Sequence, residues 1–117
     1  MVNEAVLLYE TGLPLPMTVT NATGIEKGAL LTLSDPLTAA LNTASGGVVA
    51  GIAAEEKIAS DGRVKLGVYR EGWFKGVASG AVSVGDALVF NPDNKVTLAD
   101  VNSENVAGVA LETAADA

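Results

Sequence analysis

Val49-Ala50-Gly51-Ile52-Ala53-Ala54-Glu55 returns 57 residues later as Val106-Ala107-Gly108-Val109-Ala110-Leu111-Glu112, identical at five of seven positions. The same offset carries Ile25-Glu26-Lys27-Gly28-Ala29-Leu30-Leu31-Thr32-Leu33 onto Val82-Ser83-Val84-Gly85-Asp86-Ala87-Leu88-Val89-Phe90. Only Gly28/Gly85 and Leu31/Leu88 are identical there, but the apolar pattern after the glycine is kept. Two segments that agree on one offset predict a duplicated β unit, and 117 residues hold almost two periods. Each leading glycine is expected at a positive φ or a bulge, the conformations that exclude a Cβ. Repeated residues of this kind are structural, so function is sought where the halves differ.

The composition fits thin, closely packed sheets. Hydrophobic residues make up 49% of the chain, mostly Ala, Val and Leu, and aromatics only 4%. A wide ligand pocket is usually lined with larger side chains. The net charge is -7, from 14 acidic and 7 basic residues, the opposite of the basic footprint of nucleic-acid binding. That charge favours solubility and docking onto a more basic protein surface. No apolar run approaches the roughly 20 residues that span a bilayer, and the N-terminus lacks the pattern of a signal peptide. Neither nucleic acid nor a membrane is an expected partner.

Along the chain, Ala5-Val6-Leu7-Leu8-Tyr9 reads as a strand, broken at Glu10-Thr11-Gly12. Pro14 and Pro16 forbid a helix and a central strand, so this stretch is expected to be extended or at an edge. Residues 1–20 therefore read as an N-terminal arm, 21–112 as one β-barrel domain and 113–117 as a loose tail. Met17 to Thr20, Gly28 to Leu33, Val48 to Ala54, Arg63 to Arg70, Trp73 to Val77, Val96 to Leu98 and Val106 to Leu111 all read as strands. Asp61-Gly62 is a hairpin signal. Ser34-Asp35-Pro36-Leu37-Thr38-Ala39-Ala40-Leu41-Asn42 has an Asp cap, a proline at the first helical position and good helix formers, so one short helix is expected. Eight or nine short strands with turns every ~8–12 residues predict an all-β sandwich or barrel.

Catalytic groups are scarce. Without histidine or cysteine, Ser-His-Asp and Cys-His arrangements and His-containing zinc sites are excluded. Glu55 and Glu56 are adjacent and point to opposite faces of a strand. Asp35, Asp61, Asp86 and Asp93 fall at caps and turns, where they bond local amides. Asp100 to Glu104 spaces oxygen ligands as calcium loops do, but Asn105 and Leu111 stand where such a loop needs glycine and glutamate. No catalytic residue, metal or cofactor is expected. Lys95, in a tight turn, invites comparison with biotinyl and lipoyl carriers, but their flanking residues are absent. A non-catalytic carrier or ligand-binding barrel is the alternative reading.

Trp73 and Phe74 face opposite sides of a strand, so one is free to anchor a partner, as aromatics often do. The apolar arm has the same two readings: an intramolecular edge strand, or a strand that reaches another subunit. Val6, Leu7, Leu8, Tyr9, Leu13, Leu15, Trp73 and Phe74 are the candidate contact residues.

Glu71-Gly72-Trp73-Phe74, then Gly85-Asp86-Ala87-Leu88-Val89-Phe90, then the closing Val106 to Glu112 segment resemble, in order and spacing, the small capsid decoration (cement) proteins of tailed double-stranded DNA phages. The resemblance covers most of residues 14–112. It implies a β-barrel or β-tulip, here of two ~57-residue pseudo-repeats, on the outer surface of the phage head. The implied partner is the major capsid protein, clamped to its neighbours against internal DNA pressure. It also implies a homotrimer, made in the host cytoplasm and carried on the virion. The Ser34–Gly47 insertion departs from the shortest members.

Overall fold

The computed structural model describes residues 3–99 and 106–114. Among them are ten strands and no helix: β1 (Val6–Tyr9), β2 (Leu15–Thr18), β3 (Leu30–Asp35), β4 (Thr38–Leu41), β5 (Val49–Ala53), β6 (Lys65–Tyr69), β7 (Trp73–Lys75), β8 (Ala87–Asn91), β9 (Lys95–Leu98) and β10 (Gly108–Val109). Five of them close a barrel in the order β2-β4-β3-β5-β6, with β6 returning to pair with β2. Alternation sends Met17, Leu31, Ala39, Ala50, Leu66 and Val68 inward, where all are buried. A barrel of only five strands is narrow, and alanines opposite leucines fill it without strain. This is the physical use of a sequence rich in small apolar residues and poor in aromatics.

Leu15–Thr18, the end of the expected arm, is thus a barrel strand. Pro16 is tolerated because the edge it faces is locally open. Val19 donates its N–H to Val64 on the β6 side at 2.9 Å, and Thr18 donates to Leu37 on the β4 side at 2.8 Å. Pro16, two residues before Thr18, would point toward β4, which pairs with β2 only at Thr18↔Thr38. No ladder bond is lost.

The expected helix over Ser34 to Asn42 is instead the β3–β4 hairpin, with Leu31↔Leu41, Thr32↔Ala40, Leu33↔Ala39 and Asp35↔Thr38 in register. Pro36 and Leu37 form its corner, Leu37 with φ 50°. A lone helix of two turns is marginal in water. The hairpin gains ladder partners on both sides and buries Ala39, so tertiary pairing overrides local propensity.

The barrel also differs from the expected one of two pseudo-repeats, since it lies wholly within residues 15–69. β8, β9 and β10 form a separate three-stranded sheet in the order β10-β8-β9. Several pairings nevertheless recur at the 57-residue offset. Leu31 pairs with Leu41 and Gly51; Leu88 pairs with Leu98 and Gly108. Gly28 donates to Ala53 at 2.9 Å, and Gly85 to Ala110 at 2.7 Å. Both glycines have positive φ, 85° and 90°.

The small sheet packs on the outside of the barrel. Leu30 points outward because Leu31 points inward, and it packs with Val49 and Ile52 against Phe90, Val96 and Ala107, joined by Ala5 and Phe74. A polar latch secures this contact. Asn94, at φ 58° in the β8–β9 turn, accepts the Leu30 N–H at 2.7 Å and donates to the carbonyls of Asn3 and Gly28 at 2.8 and 3.0 Å. Asn3 returns a bond to the Asp93 carbonyl at 2.8 Å. At one end of the barrel Lys57 is buried, its Nζ donating to the carbonyls of Asn21, Thr23 and Ile58 at 2.6, 3.1 and 3.2 Å, with Asp61 at 3.4 Å.

The two glycines carry unequal constraints. A Cβ on Gly28 would meet Glu4 Cγ at 2.2 Å and the Ala5 carbonyl oxygen at 2.9 Å, whereas a Cβ on Gly85 would meet nothing within 4 Å. Gly85→Ala is expected to cost about 1 kcal/mol for its backbone alone, and Gly28→Ala about 2–3 kcal/mol. Equal losses in thermal melts would show that contact with the N-terminal segment is not what fixes Gly28. Lys57→Met leaves three carbonyls unserved and is expected to cost about 2–4 kcal/mol; a parent-like melting temperature would show that these buried bonds do not stabilise the barrel.

Candidate functional site

β1 lies antiparallel on β7, with Val6↔Lys75, Leu7↔Phe74 and Tyr9↔Trp73 in register and a bulge at Leu8. The arm's first strand therefore pairs within its own chain. Phe74 turns inward, half-buried beside Ala5, Leu30 and Phe90, and meets Tyr69 edge-on at 5.9 Å. Alternation then forces Trp73 outward, where it is 52% exposed. The bulge brings Tyr9 to the Trp73 side, the two rings meeting edge to face at 5.2 Å and 82°. Gly72 permits the approach: its φ is 146°, and a Cβ there would stand 3.1 Å from the Tyr9 carbonyl oxygen.

Val6 and Leu8 on the same strand, and Leu13 and Leu15 further along the chain, are exposed, Leu13 at 78%. Leu7 is only half-buried, beneath the strand pair. Of the eight candidate contact residues, six are thus exposed and Leu7 and Phe74 hold them up from below. Glu10 follows β1 and accepts a bond from the Tyr69 hydroxyl at 3.4 Å, tying the arm to the barrel. Desolvation, then the Glu10 carboxylate, pushes the Tyr69 hydroxyl above its ordinary range.

Beyond Leu15 a groove runs along the barrel wall, lined by Pro14, Pro16, Glu55, Arg63 and Gly67. Its polar groups already serve the fold. Glu55 accepts from the Gly67 N–H and from Arg63 Nη2, both at 2.9 Å, and these bonds, the backbone one foremost, hold its carboxyl below the usual value. Asp61 accepts from the Arg63 N–H at 2.9 Å and the Ile58 N–H at 3.2 Å, and its carboxyl is lowered chiefly by the first. Asp86 accepts from the Ser83 N–H at 2.8 Å, the turn role its sequence context predicts. Among the described residues no group of three or more acidic side chains converges on a metal-sized site. The calcium-like Asp100–Glu104 stretch lies outside the described residues. Lys95 is half-buried at the start of β9, beside a turn that Asn94 fastens to the barrel.

What the paired strands β1 and β7 offer to water is an exposed aromatic pair, Tyr9 and Trp73, with Val6 beside it. The phage cement protein family matches residues 9–117. The chain belongs to the phage cement protein family. Comparison with curated proteins gave no significant match. A cement protein is a structural component of the phage capsid, and an exposed apolar face on a strongly acidic protein is a feature such a component can use. Sequence reading singled out these residues by their apolar character and the Trp73-Phe74 adjacency, and the fold leaves six of the eight exposed. It missed the roles of Lys57 and Asn94: two of the three carbonyls that Lys57 meets and all three partners of Asn94 lie 34 to 91 residues away in the chain. The only local sign was Asp93-Asn94, a pair that tolerates positive φ.

The lowered carboxyls set an acid response. Both Glu55 and Asp61 have folded-state pKa values below their ordinary 4.5 and 3.8, so the unfolded chain binds more protons and stability falls as acid protonates the folded groups. The melting temperature is expected to drop below about pH 5, and the fall to be shallower in a Glu55→Gln/Asp61→Asn variant. Parallel curves for variant and parent would remove these two groups as the cause.

Proposed function

We propose that this cement-family protein binds the outer surface of a phage head and stabilises contacts between neighbouring major capsid proteins, with the β1–β7 face as its docking surface. The observation that carries the reading is the β1–β7 pair, which presents Val6, Tyr9 and Trp73 to water on one face, with Leu8, Leu13 and Leu15 also exposed in the same N-terminal stretch. Tyr9 and Trp73 lock each other edge to face, so little side-chain freedom is lost on docking. Exposed Trp and Tyr side chains are enriched among interface hot spots. The net charge of -7 favours a basic recipient surface. Assembly as a homotrimer on the capsid belongs to the same proposal. A biotinyl-type carrier finds less support, because the turn beside Lys95 is fastened by Asn94 rather than projecting.

Undecorated heads incubated with the purified protein and sedimented are expected to take it up saturably. Removing the arm through Pro16 would cut into β2, so point variants serve better. Leu13→Asp should leave the melting temperature unchanged and lower head affinity at least about 10-fold, and Trp73→Ala about 30-fold. Saturable uptake that neither variant weakens would remove the β1–β7 face from the interface, and no uptake by the parent protein would overturn the capsid reading.

A further inference from the structure

We propose that the outer edge of β10 accepts a strand from another polypeptide, an extended segment of alternating apolar residues flanked by Lys or Arg. The barrel supplies the pattern. There, β5 pairs with β3 on one edge and takes β6 along the other, with Ile52↔Tyr69 and Ala53↔Val68 in register and the Ala54 N–H donating to the Gly67 carbonyl at 2.9 Å. Fifty-seven residues on, β10 pairs with β8 in the same register as β5 with β3, Leu88↔Gly108 against Leu31↔Gly51. The Ala110 N–H is taken by the Asp86 carbonyl at 2.8 Å, as the Ala53 N–H is by the Ala29 carbonyl at 2.9 Å. Yet β10 is the terminal strand of its sheet, and no described strand lies on its other side. The positions matching Ile52 and Ala54 are Val109 and Leu111, 57% and 59% exposed.

An edge of this kind is a template for strand addition. Charge selects the occupant. Residues 76–117 hold Asp86, Asp93, Asp100, Glu104, Glu112 and Asp116 against Lys95 alone, so most of the net charge of -7 lies in the part of the chain that includes this edge. A second copy would bring the same excess of acidic residues in this part of the chain and be repelled; a basic segment would be attracted. The strand that β5 takes has this chemistry: Arg63-Val64-Lys65-Leu66-Gly67-Val68-Tyr69-Arg70. The inference goes beyond capsid docking through β1–β7 and does not depend on it.

The test titrates the isotope-labelled full chain with the synthetic peptide Arg-Val-Lys-Leu-Gly-Val-Tyr-Arg and with a scrambled peptide of the same composition, following backbone amides by NMR. The expected result is saturable shifts centred on Val109 to Glu112 with the ordered peptide only, weakened several-fold by added salt. Val109→Lys, which adds charge to an exposed edge without touching the core, should abolish them, and Leu111→Pro, which deletes the matching N–H, should do so too. If Leu111→Pro fails to fold, Val109→Lys decides. Shifts confined to β5, equal shifts with the scrambled peptide, shifts that survive Val109→Lys, or no saturable shifts would each overturn the proposal. So would self-association of the free chain that Val109→Lys abolishes, since the occupant would then be a second copy. No arm uses phage heads, so failure here is separable from failure of the capsid reading.

Discussion

Strand β6 is hydrogen-bonded along both edges, to β2 and to β5, and that double pairing turns a sheet into a cylinder. Closure removes the edges of five strands at once and directs every second side chain into one narrow core. With Leu66 and Val68 fixed inside, Lys65, Gly67 and Tyr69 must face out, and Tyr69 then offers its hydroxyl to Glu10 and its ring to Phe74. The arm is positioned against the cylinder through those contacts.

The second sheet depends on the cylinder in a different way. It is too small to bury two faces of its own, and it packs Phe90 and Val96 on the outward Leu30, Val49 and Ile52. Apolar contact of this kind is not directional, so polar groups set the register. Asn94 reaches the backbone of Leu30, Asn3 and Gly28 at once, which fixes the β8–β9 turn, the N-terminal segment and the head of β3 relative to one another. Gly28 is narrow for the same reason: the N-terminal segment passes where its Cβ would be.

On the β1–β7 pair this cement-family chain presents aromatic side chains to water. Phe74 is spent on the interior so that Trp73 stands on the exterior, and the bulge at Leu8 aligns Tyr9 with it.

Much of this was legible in the residues. Alternation and turn residues located most of the strands, though not β4, the leading glycines announced positive φ at Gly28 and Gly85, and the adjacency of Trp73 and Phe74 required one to face out. The Asp35-Pro36 start was misread as a helix because cap and propensity are local signals, whereas the ladder partners of Leu33 and Leu31 come from Ala39, Leu41 and Gly51. The expected barrel of two repeats did not form: a few pairings recur at the 57-residue offset, but they lie in a closed barrel in one half and in an open three-stranded sheet in the other. Sequence alone determined periodicity, turn chemistry and charge, because these act over a few residues. Tertiary structure alone decided which strand closes the barrel, where Lys57 and Asn94 find their carbonyls, and that the arm lies on β7, because each depends on groups brought together only when the chain folds.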